Sequence, residues 1–241
     1  MKFSTISNIG KIRQENEDAY ANTSLGDLDF FIVADGMGGH SRGEVASKLA
    51  SKSYIDFIEN ANLDDYSSYI DLQEEAIKYA NKKIYDLSDD REGLRMGTTV
   101  VCMAIDKKNS TYYISHVGDS RIYIYQDKKL SVRTRDHSLI NDLIDTGSLT
   151  EDEAENFINK SAITKAVGTE EVIEPESQTF SMKDGDIVLM FTDGLSNELT
   201  DEEITKVVND FDEAYDISSR LVELALNKGG HDNITVTTIL I

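Results

Sequence analysis

Apolar positions along this chain follow two spacings. Alternating or continuous apolar runs predict strands over Phe3 to Ser7, Asp29 to Ala34, Thr98 to Ile105, Thr111 to Val117, Arg121 to Gln126, Lys129 to Arg133, Ile173 to Thr179, Ile187 to Thr192 and Ile234 to Ile241. Short turns such as Lys107-Lys108-Asn109-Ser110 and Gln126-Asp127-Lys128 join several of them, which implies antiparallel pairing. Helical spacing appears at Ala46, Ala50, Tyr54 and Ile58, behind a Ser41/Glu44 capping box. A second helix, roughly Tyr66 to Leu87, has an inner stripe of Leu72, Ala76, Ala80, Ile84 and Leu87. A late pair is predicted near Thr200 to Val208, with Thr200 and Glu203 as a second capping box, and near Glu213 to Lys228, stopped by Gly229-Gly230. The pattern predicts one domain over residues 1–241, an α+β fold of stacked antiparallel sheets with helices on both outer faces. The acidic stretch Asp136 to Val167, helical over Thr150 to Phe157, interrupts the core strands and reads as a surface flap.

Composition narrows the function classes. The 241 residues are 39% hydrophobic and 29% charged, and 24 basic against 45 acidic residues leave a net charge of −21. That balance argues against nucleic acid or an anionic membrane as a partner, because the phosphates would be repelled over most of the surface. The single cysteine, Cys102, lies in an apolar strand and is expected to be a core thiol. No apolar run reaches the roughly 18 residues of a spanning helix, and no signal peptide is recognisable, so a cytoplasmic location is expected.

The chemistry lies where buried strands end. Phe30 to Ala34 runs into Asp35-Gly36, Ile187 to Thr192 into Asp193-Gly194, and Gly229-Gly230-His231-Asp232-Asn233 opens the last strand. Each Asp-Gly pair alone is an ordinary turn signal. Three aspartates collected from distant strand ends, with glycine beside them, are also what an oxygen-ligand metal site needs. One cysteine and four histidines could barely build a zinc-type site, so hard oxygen ligands point to magnesium or manganese. The cluster Arg13-Gln14-Glu15-Asn16-Glu17-Asp18 reads by composition as a solvated charged turn, and spacing alone does not bring it to the aspartates.

Six motifs occur in order: Arg13-x-x-Asn16-Glu17-Asp18, Val33-Ala34-Asp35-Gly36-Met37-Gly38-Gly39-His40, Gly97-Thr98-Thr99, His116-Val117-Gly118-Asp119-Ser120-Arg121, Thr192-Asp193-Gly194-Leu195 and Asp232-Asn233-Ile234-Thr235. Together they resemble the protein phosphatase 2C family of metal-dependent serine/threonine protein phosphatases, in its compact bacterial form. The resemblance implies a four-layer αββα sandwich with two divalent cations, manganese or magnesium, between the sheets. By motif position Asp35 would bridge both ions and Gly36 would bind one through its carbonyl. Asp193 and Asp232 would hold the other, with Asp18 on the same site directly or through water. Arg13 would pair with the substrate phosphate and Asn233 would support the site from behind. Asp119 resembles a ligand of a third ion. The implied substrates are phosphorylated proteins, among them an opposing serine/threonine kinase.

The histidines divide differently. His40 ends the glycine turn near Asp35 and is as well suited to orienting a loop as to donating a proton. His116 is expected to pack at a strand end with a backbone hydrogen bond, His137 to anchor the flap, and His231 carries no assigned role. Where relatives often read His-Pro-x-Arg-Asn before Ile-Thr-Arg, this chain reads Phe157 to Ser161 before Ile163-Thr164-Lys165. Two other classes stay open on the sequence: a catalytically silent phosphoprotein-binding module on the same fold, and a metal-dependent nuclease, which the charge disfavours.

Overall fold

The computed structural model describes residues 1–38, 42–88, 95–154 and 162–241. Eleven strands among them form two antiparallel sheets. One sheet has the order β1-β11-β10-β7-β8, from β1 (Lys2–Asn8), β11 (Ile234–Leu240), β10 (Ile187–Phe191), β7 (Arg121–Gln126) and β8 (Lys129–Val132). The other has the order β2-β3-β5-β6-β9, from β2 (Asp18–Leu25), β3 (Leu28–Met37), β5 (Val100–Asp106), β6 (Thr111–Val117) and β9 (Glu176–Ser181), with the short β4 (Gly97–Thr98) beside β3.

Period-two alternation builds the layers. In β3, Phe31 and Val33 face a core between the sheets, where they meet Met103 and Ile114 of their own sheet and Ile122, Val188 and Met190 of the other. Phe30, Ile32 and Ala34 point the opposite way, onto α1 (Arg42–Glu59) and α2 (Tyr69–Leu87). Leu189 and Phe191 of β10 likewise leave the central core and pack under α6 (Asp201–Asp210) and α7 (Ala214–Lys228). Strands buried on both faces therefore read as continuous apolar runs, and the αββα sandwich is the result. The flap contributes α3 (Leu139–Asp145) and α4 (Glu151–Ala154), and α5 (Asp193–Ser196) follows β10 directly.

Most predicted elements form, with instructive departures. β2 escapes the hydrophobic pattern because Ala19-Tyr20-Ala21-Asn22-Thr23-Ser24 is small and polar, on an edge strand with alternate residues exposed. The run Thr98 to Ile105 breaks at Thr99, whose backbone N–H turns to the Asp35 carbonyl at 2.8 Å. The strand expected at Ile173 to Thr179 forms three residues later, while Ile173 itself plugs the helix-side core. Leu87 is 59% exposed and is no part of an inner stripe, since α2 ends there at its cap, Ser88. The helix also starts at Tyr69 and not at Tyr66, because Ser68 caps it by accepting the Asp71 N–H. The Thr200/Glu203 capping box is present, and the Ser41/Glu44 box lies outside the described residues at Ser41. In the flap, Thr150 and Glu153 cap α4 reciprocally, at 2.9 and 3.3 Å. Cys102 is a buried free thiol.

Candidate metal centre

Parity carries the acids inward. Asp35 shares the parity of Phe31 and Val33, so it enters the space between the sheets where the apolar core stops. Asp18 is its register partner on β2. Thr192 and Thr235, from the opposite sheet, donate to Asp18 Oδ2 at 3.0 and 2.6 Å. Asp18 thus bridges the two sheets beneath the site. Asp193 opens α5 directly after β10, and Asp232 precedes β11. The result is a cleft of about 240 Å³ lined by Arg13, Glu17, Asp35, Gly36, Asp119, Asp193 and Asp232 among others. Asp18 lies behind this lining.

The cleft needs close backbone approach on one side. A Cβ on Gly36 would fall 2.1 Å from the Gly43 carbonyl oxygen and 2.7 Å from that of Glu17, so only glycine lets β3 cross the start of α1. A side chain on Gly43 would meet Glu17 Oε1 at 2.4 Å. Glu17 hydrogen-bonds the Gly43 and Glu44 backbone there, and burial still pushes its carboxyl above the usual range. Asn233 holds this corner by accepting the Glu17 N–H at 2.8 Å and donating to the Ile9 and Glu15 carbonyls at 2.9 and 3.0 Å.

The electrostatics are those of a site built for cations. Burial, then the charges of Asp18 and Asp193, raise the Asp35 carboxyl well above its ordinary value. Asp18 is pushed up to about 7 by burial, against the two threonine hydroxyls. Asp119 is also raised to about 7, by burial and then by Asp193. Asp193 is raised by burial and then by Asp232. Carboxylates brought together away from water disfavour their own ionisation unless positive charge joins them. Asp18 Oδ1 and Asp193 Oδ1 are buried with no hydrogen-bond donor, which is the arrangement a hard divalent cation satisfies. Arg13 supplies one positive group, through its Nη2 to Asp232 Oδ2 at 2.6 Å, and its side chain remains 49% exposed toward the cleft mouth.

The structure brings Arg13, Asp35, Gly36, Asp119, Asp193, Asp232 and Asn233 to one cleft, with Asp18 beneath it. The reading of residues 13–18 as an ordinary solvated turn is overturned, because Arg13 and Glu17 line the cleft and Asp18 is buried. Sequence reasoning passed over Glu17, since neighbouring acids are distinguished only by the register of β2. It also left Thr99 without a role, although Thr99 lines the cleft. His40 lies outside the described residues.

The other histidines do structural work. His116 Nε2 donates to the Arg135 carbonyl at 2.8 Å, and His137 Nδ1 accepts the Gly118 N–H at 3.0 Å. Glu176 approaches His137 Nε2 at 3.5 Å. These three residues form a compact group, but the two rings are stacked at 4.8 Å and 4°. Lone pairs lying in two parallel planes do not converge on one ion, so the trio anchors the flap. His231 Nδ1 pairs with Glu198 Oε1 at 2.7 Å.

Known proteins resemble this chain over nearly its whole length. The family described as Protein phosphatase 2C matches residues 11–224. Protein phosphatase PhpP of Streptococcus pneumoniae is 34% identical over 241 residues, covering 99% of this chain and 97% of its own. The solved serine/threonine phosphatase of S. agalactiae superposes with a TM-score of 0.90 at 33% identity, over 100% of this chain and 99% of that one. The catalytic domain of the serine/threonine phosphatase PstP, solved in complex with two manganese ions, superposes with a TM-score of 0.80 at 30% identity, covering 98% and 96% of the two chains. With the carboxylate cleft where two such sheets meet and the match running nearly end to end, the chain belongs to the protein phosphatase 2C family.

Proposed function

We propose that this protein hydrolyses phosphoserine and phosphothreonine esters of proteins, using divalent cations, manganese or magnesium, held by the carboxylates of the cleft. The observation that carries this reading is the pair of buried, donor-less carboxylate oxygens of Asp18 and Asp193, inside an acidic cleft that also holds an arginine. Asp35, Asp193, Asp232 and the Gly36 carbonyl are the ligands we assign to two ions, with Glu17 or Asp18 reaching them directly or through water. Asp119 is assigned to a third. Such ions would supply charge neutralisation for a dianionic phosphate and a bound water acidified toward neutrality.

The chain's own groups do the rest. Arg13 spends one N–H on Asp232 and has a planar fork left for phosphate oxygens. The Asn233 side chain fixes the Glu17 backbone, and Thr98 and Thr99 fix Asp35 by bonding its backbone, so the carboxylates do not reorganise when charge develops. Among the described residues of the cleft no cysteine and no serine–histidine pair stands ready as a nucleophile, which favours attack by water.

The physiological substrates in this reading are phosphoproteins, an opposing serine/threonine kinase among them. The described residues contain no helix long and apolar enough to cross a membrane, and we place the protein in the cytoplasm. The test is release of phosphate from phosphothreonine peptides by the purified protein in manganese, in magnesium and in excess chelator. Metal-dependent release is expected, and full turnover in chelator after metal-free purification would overturn the reading. Metal binding without any turnover would favour a silent phosphoprotein-binding module.

A further inference from the structure

A second hollow adjoins the cleft. It has a volume of about 420 Å³ and shares Asp119 and Asp193 with the cleft as a common wall. Arg13 lines the cleft alone, so a phosphate held by Arg13 leaves this neighbouring hollow to some other part of the substrate. The cleft falls below the roughly 300–1,000 Å³ of ordinary ligand sites, whereas the hollow lies within that range. Resting on the phosphatase reading above, we propose that the hollow seats the polypeptide flanking the phosphorylated residue, and that it accepts uncharged or basic side chains there while turning away acidic ones.

The walls are preorganised. Arg121 grips Asp136 with two parallel bonds of 2.9 and 2.6 Å, and Asn141 donates to the Asp136 carbonyl at 2.8 Å. The Tyr123 hydroxyl donates to Asp201 at 2.8 Å. The contact surface offered between these fixed groups includes Val132, half exposed on β8, with Ile140 of α3 and Ser196 of α5. An extended segment finds apolar and hydroxyl contacts there without ordering a loop first.

Charge decides which segment. Both arginines of the hollow are already matched, Arg121 to Asp136 and Arg135 to Asp145 at 2.6 Å. A glutamate entering the hollow therefore meets guanidinium groups already committed to carboxylates, on a protein of net charge −21. Selectivity of this kind works by repelling the wrong partner.

The experiment compares phosphothreonine peptides that differ only in the residues next to the phosphothreonine (alanine, lysine or glutamate), with an aryl phosphate as a substrate lacking any flank. Glutamate flanks should lower kcat/KM about tenfold relative to alanine, chiefly through KM. Val132→Trp, at an exposed edge-strand position, should raise the peptide KM about fivefold or more and leave aryl phosphate turnover unchanged, because it fills the hollow and not the cleft. Asp145→Ala, at an exposed site, should release Arg135 and narrow the glutamate-to-alanine ratio. Equal rates for all flanks, or a Val132→Trp effect of the same size on both substrates, would overturn the proposal. Inactivity of the unaltered protein on every phosphorylated substrate in manganese would overturn the phosphatase reading instead, and the proposal with it.

Discussion

Thr99 and Ser120 share a hydrogen bond of 2.7 Å between buried hydroxyls, and through it the strand carrying Asp35 is tied to the turn carrying Asp119. Thr99 Oγ1 also accepts the Asp35 N–H at 3.2 Å, and its backbone N–H donates to the Asp35 carbonyl at 2.8 Å. The neighbouring Gly118 has φ +103°, and a Cβ there would lie 2.6 Å from the Thr99 side chain. Turn and strand thus meet through one threonine.

Thr99→Val keeps the shape and removes the hydroxyl, leaving the Asp35 N–H and Ser120 Oγ each short of a partner. A loss of about 1–3 kcal/mol in stability is expected from the unmade bonds. Manganese affinity, measured by calorimetry, should fall about 10–100-fold, as it does when groups that orient ligands are lost. Thr99→Ser should restore both. A lower melting temperature with manganese affinity intact would reduce Thr99 to a structural hydroxyl.

Asp35→Asn separates the ligand role from the folding role. Without metal, the Asp35 carboxyl is held far above its normal range by burial and by Asp18 and Asp193, so its ionised form opposes folding. The amide should raise the melting temperature in chelator. It should also abolish the rise that manganese produces in the unaltered protein, because binding stabilises only what it binds. Turnover should drop by more than about 100-fold, beyond the loss typical of outer groups. An equal manganese-induced rise in both proteins would remove Asp35 from the ligand set.

How much of this centre was legible follows from what each residue rests on. Asp35 and Asp193 could be found because the apolar runs of β3 and β10, buried on both faces, stop abruptly at Asp-Gly. β2 could not, because its buried positions are Asp18 and Ala19 in place of large apolar groups. Losing β2 meant losing the register that sets Asp18 against Asp35 and leaves Glu17 facing the cleft. The hollow beside the cleft was equally hidden, since Val132, Ile140 and Ser196 come from three separate elements.

His137 sets an acid limit on stability. Its Nδ1 accepts the Gly118 N–H, so protonating that nitrogen breaks a buried bond. Burial, then the charges of His116 and Lys165, lower its pKa from about 6.5 to about 4. Between these values the unfolded chain binds the extra proton and the folded chain does not, so stability falls as pH drops from about 6.5 toward 4. His137→Asn offers a carbonyl oxygen as acceptor and does not titrate. Its melting temperature should fall less steeply than that of the unaltered protein across this window. Parallel curves would show that other groups govern the acid limb.

Arg13 separates phosphate recognition from cation binding. Its guanidinium touches Asp232 Oδ2 and carries no atom that can donate a lone pair to a cation. Removing it takes a positive charge away from the acidic cleft, so Arg13→Ala should bind manganese as tightly as before or more tightly. The same variant should raise KM for phosphopeptides roughly tenfold or more, on the scale of a lost hydrogen bond to a charged group. Arg13→Lys should recover only part of that loss, because an ammonium restores the charge and not the two-pronged fit. Calorimetry with manganese alone and initial rates against peptide concentration measure the two effects independently. A collapse of manganese affinity with KM unchanged would place Arg13 in the support of the metal centre and take it away from the phosphate.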